Sequence, residues 1–153
     1  MFYSQTSQYA IRALIRLYKE MIENGVESVR LQDIAEKEDL PRAYLSRIFH
    51  ALTRAKILAS QKGLGGGFVF KKPPEEITLW DIIKVFDDIE VYDECAIGWE
   101  RCDDDHPCPL HDTYKPIREK IKEFLKKTTL TQLVEAAERK EAYKKQKHKT
   151  GVE

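Results

Sequence analysis

Three cysteines and a histidine lie within seventeen residues, spaced Cys95-x6-Cys102-x5-Cys108-x2-His111, and the chain has no other cysteine. Thiolate sulfur and imidazole nitrogen are ligands of zinc and of iron–sulfur clusters, so these four residues are enough for one metal centre. The spacers of six and five residues are wide for structural zinc, which usually uses Cys-x2-4-Cys pairs. A cluster spreads its ligands over two or more irons and accepts wider spacing. Zinc, a cluster and three free thiols are the interpretations left open.

The segment that carries these residues is predicted to be a loop. Residues 87–112 lack apolar periodicity and contain many carboxylates, one glycine and two prolines. His106 lies between the second and third cysteines and is an alternative to His111 as the fourth ligand. The aspartates at 103–105 are hard oxygen ligands, less suited to iron–sulfur chemistry, and are interpreted as solvated.

Length and composition place the chain among ordinary globular proteins. With 153 residues, 42% hydrophobic and 34% charged, it suffices for one domain, or a small domain with an extension. No segment approaches the apolar length needed to span a bilayer. The N-terminus has no secretory signal pattern, so the expected compartment is a reducing cytoplasm. There, clustered cysteines more often bind metal or do redox chemistry than form structural disulfides.

The charges are segregated along the chain although the net charge is zero. Residues 1–74 contain 12 Lys+Arg and 7 Asp+Glu, residues 75–114 contain 2 and 13, and residues 115–153 contain 12 and 6. A nucleic-acid-binding surface needs only a local positive patch, so the basic front half is compatible with one.

The front half predicts three helices. The first carries an apolar stripe at helical spacing and ends at Asn24-Gly25, with Ser4 or Thr6 as its cap. A second helix is predicted at 31–38 and a third at 41–55, with Pro41 at its first position. One side of the third helix is apolar, and the other carries Arg42, Ala43, Ser46, Arg47, His50, Thr53 and Arg54.

Two short helices joined by a tight turn, the second with a basic polar face, are typical of a helix-turn-helix. Taken alone, that face is better explained as a merely solvated surface. The next segment favours DNA binding, because strands at 57–60 and 68–70 flank a glycine-rich loop and predict a wing. Lys62 and Gly63 lie at its tip, where the lysine would reach a phosphate or the minor groove. The loop lacks the Gly-Lys-Ser/Thr ending of a nucleotide-binding loop.

The back half predicts helices with different roles. A helix follows Thr78, which opens a capping-box-like start, and another runs from about 114 to 127. A last helix begins at a capping box formed by Thr129 and Gln132. Together these elements give a mainly α fold: a winged helix-turn-helix domain with a two-stranded wing, plus a long C-terminal dimerisation helix. The alternative for that apolar back end is packing on its own domain.

The domain organisation predicted from these elements has four parts. They are a winged helix-turn-helix domain at 1–87, a cysteine-rich cluster-binding loop at 88–112, dimerisation helices at 113–138, and a basic, disordered tail at 139–153.

The chain resembles the bacterial iron–sulfur-cluster transcription regulators of the IscR and NsrR kind over about residues 1–135. The segments that carry the resemblance are the cysteine loop, Ser7-Gln-Tyr-Ala-Ile-Arg-Ala-Leu14, Leu31-Gln-Asp-Ile-Ala35, Tyr44-Leu-Ser-Arg-Ile-Phe49 and Lys62-Gly-Leu-Gly-Gly-Gly-Phe68.

The resemblance implies a homodimer that binds a double-stranded DNA operator, with one cluster per subunit that alters DNA binding. It implies that the three cysteines are thiolate ligands and that His111 completes a set favouring [2Fe–2S] over [4Fe–4S]. Three departures stand out. The first spacer has six residues where five is common, Gln8 replaces the carboxylate of NsrR-like members, and Lys62 replaces a frequent arginine.

The rival functions are a zinc-stabilised or thiol-based winged-helix regulator without a cluster, and a small electron-transfer protein. The electron carrier has no need of a basic helix-turn-helix. An enzyme is not expected, because the chain shows no Ser/His/Asp set, no paired carboxylates in an apolar setting and no phosphate loop.

Overall fold

Three helices and a hairpin follow one another from residue 5 to residue 70, in the order the sequence predicts. The computed structural model describes residues 2–100 and 102–150, with side chains up to residue 145. Within them, the elements are α1 (Gln5–Asn24), α2 (Leu31–Glu38), α3 (Arg42–Arg54), β1 (Leu58–Gln61), β2 (Gly67–Phe70), α4 (Leu79–Ile83), α5 (His111–Lys127) and α6 (Leu130–Thr150).

The amphipathic stripe of α1 builds the centre of the core. Its N-terminus is capped by Ser4, whose side chain accepts from the Ser7 amide, and Gly25 ends it with φ 60°. Four residues of the predicted stripe are fully buried, and they pack with the apolar faces of α2, α3 and α4: Ala10, Ala13, Leu14 and Leu17.

The turn between α2 and α3 is tight. Asp39 adopts φ 52° and its amide reaches back to the carbonyls of Ala35 and Glu36, as in other helix ends of this kind. Pro41 is the N-cap of α3 and not its first residue, a shift of one position from the sequence prediction. The inward residues of α3, Leu45 and Phe49, are fully buried.

The wing is a two-stranded antiparallel hairpin with an added partner. Leu58 pairs with Phe70 and Gln61 with Gly67, so β1 begins one residue later than predicted and β2 one residue earlier. Val29, in the segment before α2, exchanges two backbone hydrogen bonds with Phe68, at 3.2 and 2.9 Å. The hairpin is therefore tied to the helix-turn-helix through backbone contacts.

The helix α4 joins the winged domain to the back half. The capping box is confirmed, because Thr78 and Asp81 exchange side-chain-to-backbone bonds. Beyond α4, Asp87 accepts hydrogen bonds from the Ser4 amide at 3.1 Å and the Ser7 hydroxyl at 2.6 Å. Burial acts to raise the pKa of Asp87, but these bonds outweigh it and hold that pKa below its ordinary value.

The start of α6 is integrated with the front domain. The predicted capping box is present, with the Thr129 amide donating to Gln132 at 3.0 Å and the Gln132 amide to Thr129 at 3.4 Å. The Leu130 amide donates to the carbonyl of Ile77 at 2.8 Å, and Leu130 is fully buried.

The segment predicted as a disordered tail continues α6 as far as Thr150. Most residues of this segment are strong helix formers (Lys, Glu, Ala, Gln and Arg). Glu141 adds a tertiary contact, a 2.7 Å ion pair with Lys19 of α1, whose side chain is only 4% exposed. Residues 151–153 of the predicted tail lie outside the described residues.

No helix among residues 2–100 and 102–150 is long and apolar enough to cross a membrane.

The close packing of the wing against Val29 requires a glycine at position 67. A Cβ at Gly67 would lie 2.5 Å from the carbonyl carbon of Val29, so Gly67→Ala should force the hairpin away from the segment before α2. We expect a loss of about 1–3 kcal/mol in the free energy of unfolding, measured by urea denaturation. Ser60→Ala, at an exposed position of β1, is the control. Equal stability of the two variants would contradict the backbone attachment of the wing.

Candidate metal centre and DNA-contacting face

The three cysteine sulfurs converge at one place. The Sγ atoms of Cys95, Cys102 and Cys108 all lie within 4.8 Å of one another. Cys108 is buried and the other two are half-buried, and none forms a disulfide. The cysteine loop, residues 88–110, thus brings together ligands separated by up to thirteen positions.

The entry to the loop is fixed before Cys95 is reached. Tyr92 is buried with its ring 5.6 Å from that of Trp80, and its hydroxyl donates to the carbonyl of Phe2. From α5, the guanidinium of Arg118 donates to the carbonyls of Asp93 and Glu94, at 3.1 and 3.3 Å.

The exit from the loop is fixed by the first turn of α5. This helix begins at His111, three residues earlier than predicted, and the His111 amide donates to the carbonyl of Cys108 at 2.9 Å. His111 Nδ1 lies 3.2 Å from Cys102 Sγ, and Nε2 lies 3.0 Å from the carboxylate of Asp104. Lys115 binds the same carboxylate. Asp104 is therefore more than the solvated loop residue that the sequence predicts, because it orients the imidazole.

The alternative histidine has a different partner. His106 is exposed, and its Nδ1 lies 3.1 Å from the carboxylate of Asp103. The Asp103 carboxylate also accepts from the backbone amides of Asp105 and His106. This local turn accounts for the side chains of Asp103 and His106 without a metal.

The hydrogen bonds of the site set the protonation of the thiols. The pKa of Cys102 is lowered from 9.0 to about 7, chiefly by its hydrogen bond with His111 and secondly by a backbone hydrogen bond at Cys108. The pKa of His111 is raised, because it binds the Cys102 sulfur and the Asp104 carboxylate. Burial, then the neighbouring Cys102, raises the pKa of Cys108. In the metal-free protein, the Cys102 thiol thus ionises near neutral pH, with the imidazole of His111 against its sulfur.

These donors fit a thiolate-bound metal centre. The three sulfurs and one imidazole nitrogen lie close together at a half-buried site. The second nitrogen of His111 contacts a carboxylate, as in most metal-bound histidines. Sulfurs on one tetrahedral zinc are about 3.8 Å apart, as follows from a Zn–S distance of about 2.3 Å. The limit of 4.8 Å is close to that spacing, so binding needs only a small contraction or a spread over two irons.

The predicted DNA-contacting residues of α3 share one outer face. Ser46 is half-buried, and its carbonyl lies 2.7 Å from Nδ1 of His50. Thr53, also predicted on this side of α3, is half-buried and donates to the carbonyl of Phe49 at 2.8 Å. The other predicted DNA-contacting residues of α3 are exposed: Arg42, Ala43, Arg47, His50 and Arg54. Leu31 of α2 joins Arg42, Ala43 and Ser46 in lining a shallow groove. Lys62 and Gly63 are exposed at the wing.

The structure adds residues that sequence reasoning missed. Arg30, exposed at the start of α2, and Ser28, whose hydroxyl donates to the carbonyl of Gly65 at 2.6 Å, lie between the wing and α2. A basic residue just before a helix-turn-helix was the available signal for Arg30. No local signal points to Arg118, because its partners are 25 and 24 residues away.

The fold and these surfaces define a winged-helix DNA-binding protein with an appended thiol-rich site. The chain belongs to the Rrf2 family, described as iron-dependent transcriptional regulators, whose family model matches residues 3–136. The resemblance to IscR-like regulators and the mainly α winged-helix fold are thereby confirmed. The relatives are transcriptional regulators, a non-enzymatic class, so the expectation that this is not an enzyme also holds.

Individual relatives cover most of the chain. A provisionally described HTH-type transcriptional regulator of Aquifex aeolicus is 33% identical over 141 residues, covering 91% of this chain and 95% of the relative. The solved structure of CymR, the global cysteine regulator of B. subtilis, has a TM-score of 0.70 at 29% identity, covering 87% and 95%. IscR of T. potens has a TM-score of 0.68 at 25% identity, covering 88% and 86%.

The different pKa values of Cys102 and Cys108 predict that the two thiols become reactive toward an alkylating agent at different pH. In metal-free protein, alkylation of Cys102 by iodoacetamide should have its midpoint near pH 7, because only the thiolate reacts and its pKa is about 7. Cys108, with a raised pKa, should react slowly at that pH. Mass spectrometry of digests across pH 5.5–9.5 measures both.

His111→Ala should move the Cys102 midpoint toward 9.0 and slow its alkylation at pH 7 on the order of tenfold. His106→Ala is the matched control and should leave the midpoint in place. A wild-type midpoint near 9 would show that His111 does not bind Cys102.

Proposed function

We propose that this protein is a homodimeric, sequence-specific transcription regulator whose DNA binding is controlled by an iron–sulfur cluster held by Cys95, Cys102, Cys108 and His111. The observation that carries the proposal is the convergence of the three sulfurs within 4.8 Å, with His111 against Cys102 at the first turn of α5. The sensed quantity is iron–sulfur status, nitric oxide or redox state. We place this function in the bacterial cytoplasm, where the DNA operator would lie.

The fourth ligand in this proposal is His111, with [2Fe–2S] favoured over [4Fe–4S]. Gln8, where NsrR-like relatives place an acid, offers no carboxylate. His111 is well placed as a ligand, because its Nδ1 lies 3.2 Å from the Cys102 sulfur and its Nε2 lies 3.0 Å from the Asp104 carboxylate. When bound, the cluster supplies iron that can change oxidation state or be lost.

The cysteine loop has a short physical route to the recognition helix. Tyr92 binds the Phe2 carbonyl, which lies two residues before the Ser4 cap of α1. The first turn of α1 then contacts α3, because the Thr6 hydroxyl lies 2.9 Å from the Tyr44 hydroxyl. A change in the loop can therefore move the N-terminus of α1 and, through Tyr44, the first turn of α3.

The apolar stripe of α5 supports the homodimer. Residues at alternating spacings of four and three, as in a coiled-coil seam, follow one line along the helix: Leu110, Tyr114, Ile117, Ile121 and Phe124. Ile117 and Phe124, two turns apart on this line, are 55% and 50% exposed, as expected for side chains that a partner covers. A two-fold dimer on this face would place two copies of α3 on successive turns of the major groove.

Within that dimer, the outer face of α3 reads bases while the wing contacts the backbone or the minor groove. Arg42, Ala43, Ser46, Arg47, His50 and Arg54 form the base-reading and phosphate-binding set, joined by Lys62 and Gly63 at the wing.

The second candidate is a thiol-based or zinc-stabilised regulator without a cluster. The free thiols within 4.8 Å of one another favour it, since two of them could be joined with little backbone movement. CymR relatives, one described as a global cysteine regulator and another solved in an oxidised form, are 29% and 26% identical to this chain.

Metal analysis separates these functions. Protein purified without oxygen should contain iron and sulfide and absorb above 400 nm. Cys→Ala at any of the three cysteines should remove the absorbance, and His111→Ala should retain less iron or change the spectrum. His106→Ala should match wild type. Stoichiometric zinc without colour would contradict the cluster. Metal-free protein that cannot be reconstituted with iron and sulfide would leave the thiol-based regulator.

DNA binding tests the control by the cluster. Duplexes enriched from a random-sequence library with cluster-loaded protein should bind the loaded and the cluster-free forms with affinities about 5- to 150-fold apart, as expected for a coupling of about 1–3 kcal/mol. Fluorescence anisotropy under anaerobic conditions measures both forms. Equal affinities on every enriched duplex would contradict the control.

The dimer face is tested by charge insertion. Ile117→Glu with Phe124→Glu should convert the dimer to a monomer, because burying two carboxylates in an apolar seam is far costlier than leaving them in water. Sedimentation velocity measures the mass. Ser60→Glu with Gln61→Glu adds the same charge at exposed positions of β1 and should leave the dimer intact. A monomeric wild-type protein would contradict the assignment.

A further inference from the structure

We propose that Leu64, at the tip of the wing, is a DNA contact in its own right: its side chain enters the minor groove and packs against the deoxyribose walls. The inference rests on the DNA-binding function and deepens it, because it adds an apolar contact beside the phosphate contact of Lys62. The affinity of the wing for DNA would then depend on which base-edge groups lie on the floor of the minor groove.

The exposure of Leu64 is the first observation. Its relative exposed area is 109%, whereas the other exposed large hydrophobic residues of the described chain range from 41% to 61%. Because the Leu64 side chain has no contact within its own protein, folding removes none of its apolar surface from water. Only a surface that the wing approaches can bury it.

The backbone holds Leu64 outward. Gly63 and Gly65 adopt φ 98° and 78°, values that favour glycine on both sides of the leucine. The Gly66 amide donates to the carbonyl of Gly63 at 2.9 Å, which closes a four-residue turn with Leu64 at its second position. The turn is therefore built to present this one side chain.

The tip is held in place relative to the recognition helix. The Ser28 hydroxyl binds the Gly65 carbonyl, and Phe68 pairs with Val29 on the other side of the tip. Gly66 and Gly67 have no room for a Cβ against the neighbouring backbone. Arg30 and the start of α2 follow at once, so the tip belongs to the same rigid surface as the outer face of α3.

Charge and shape select DNA as the surface that covers Leu64. The exposed cations of the hairpin and its base are Lys62, Lys56 and Lys71, and between Lys56 and Lys72 the chain has no acidic residue. An exposed leucine two residues from Lys62 matches the minor groove, whose walls are sugar C–H groups and whose rims are phosphates. Apolar side chains, leucine among them, are used there by other DNA-binding proteins.

The floor of the groove then affects affinity. Guanine places an amino group in the minor groove, whereas the A·T and inosine–cytosine pairs do not. A leucine without hydrogen-bonding atoms cannot use that amino group and is obstructed by it. The contact should therefore favour duplex segments without guanine under the wing.

The test compares two polymers that differ only in that amino group, poly(dI-dC) and poly(dG-dC). Their major grooves are alike, so the face of α3 sees the same surface. The anaerobically purified full chain is titrated with each polymer by fluorescence anisotropy at several salt concentrations. Leu64→Ser is the variant, and Lys62→Met is the matched control two residues away. Thermal melting of each variant checks that the exposed substitutions leave the fold intact.

The expected result has two parts. Leu64→Ser should lose about tenfold in affinity for poly(dI-dC), the order expected for burying much of one leucine, and less than about twofold for poly(dG-dC). Its dependence on salt should equal that of wild type. Lys62→Met should lose affinity for both polymers alike and lower the salt slope by about one.

Other outcomes overturn the inference. Unchanged affinity of Leu64→Ser on poly(dI-dC), or equal losses on both polymers, would show that the leucine does not enter the minor groove. An unchanged Leu64→Ser variant beside an Arg47→Ala variant that loses affinity for both polymers would leave the proposed function standing and remove only this contact. If wild-type protein binds neither polymer nor any enriched duplex, the DNA-binding function itself fails.

Discussion

The cysteine loop is held at both ends by residues of one helix, α5, and the geometry of the thiol site depends on that arrangement. Arg118 of α5 binds the carbonyls just before Cys95, and His111 at the first turn contacts Cys102 and follows Cys108. The same helix carries the exposed apolar stripe on another side. A rotation or shift of α5 therefore changes the spacing of the sulfurs and the geometry of the proposed dimer together, because one rigid element bears both.

Much of the front half could be predicted from the sequence, because local signals agree with tertiary packing there. The stripe of α1, the turn at Asp39 and the capping boxes at Thr78 and Thr129 each specify a boundary within a few residues. The cysteines and His111 could be singled out by spacing alone. The helical state of residues 139–150 was missed, since its many charges suggested a solvated tail and the contact of Glu141 with Lys19 spans 122 residues of sequence. Composition alone reads that segment as a solvated tail.

The residues that orient the cysteine loop and His111 could not be predicted from the sequence either, because their roles depend on contacts in the folded chain. Asp104 looks like one of three interchangeable aspartates until the fold brings it to His111 and Lys115. Arg118 looks like an ordinary helix cation until its guanidinium is found buried against the loop. Ligands can be recognised by residue type and spacing. The groups that orient them are recognised only by distance in the folded chain.

The interlocking of α6 with the front domain bears on how the chain is made. Leu125 and Leu130 are fully buried in the same core as α1, and Leu79 and Ile77 bond to Thr128 and Leu130 across it. These partners follow the three cysteines in the chain, so they leave the ribosome after the cysteines do. The front half thus completes its core only when the cysteine loop has already been synthesised, and a nascent fragment that stops before this loop leaves part of that core exposed. The order of synthesis therefore couples the two halves of the chain.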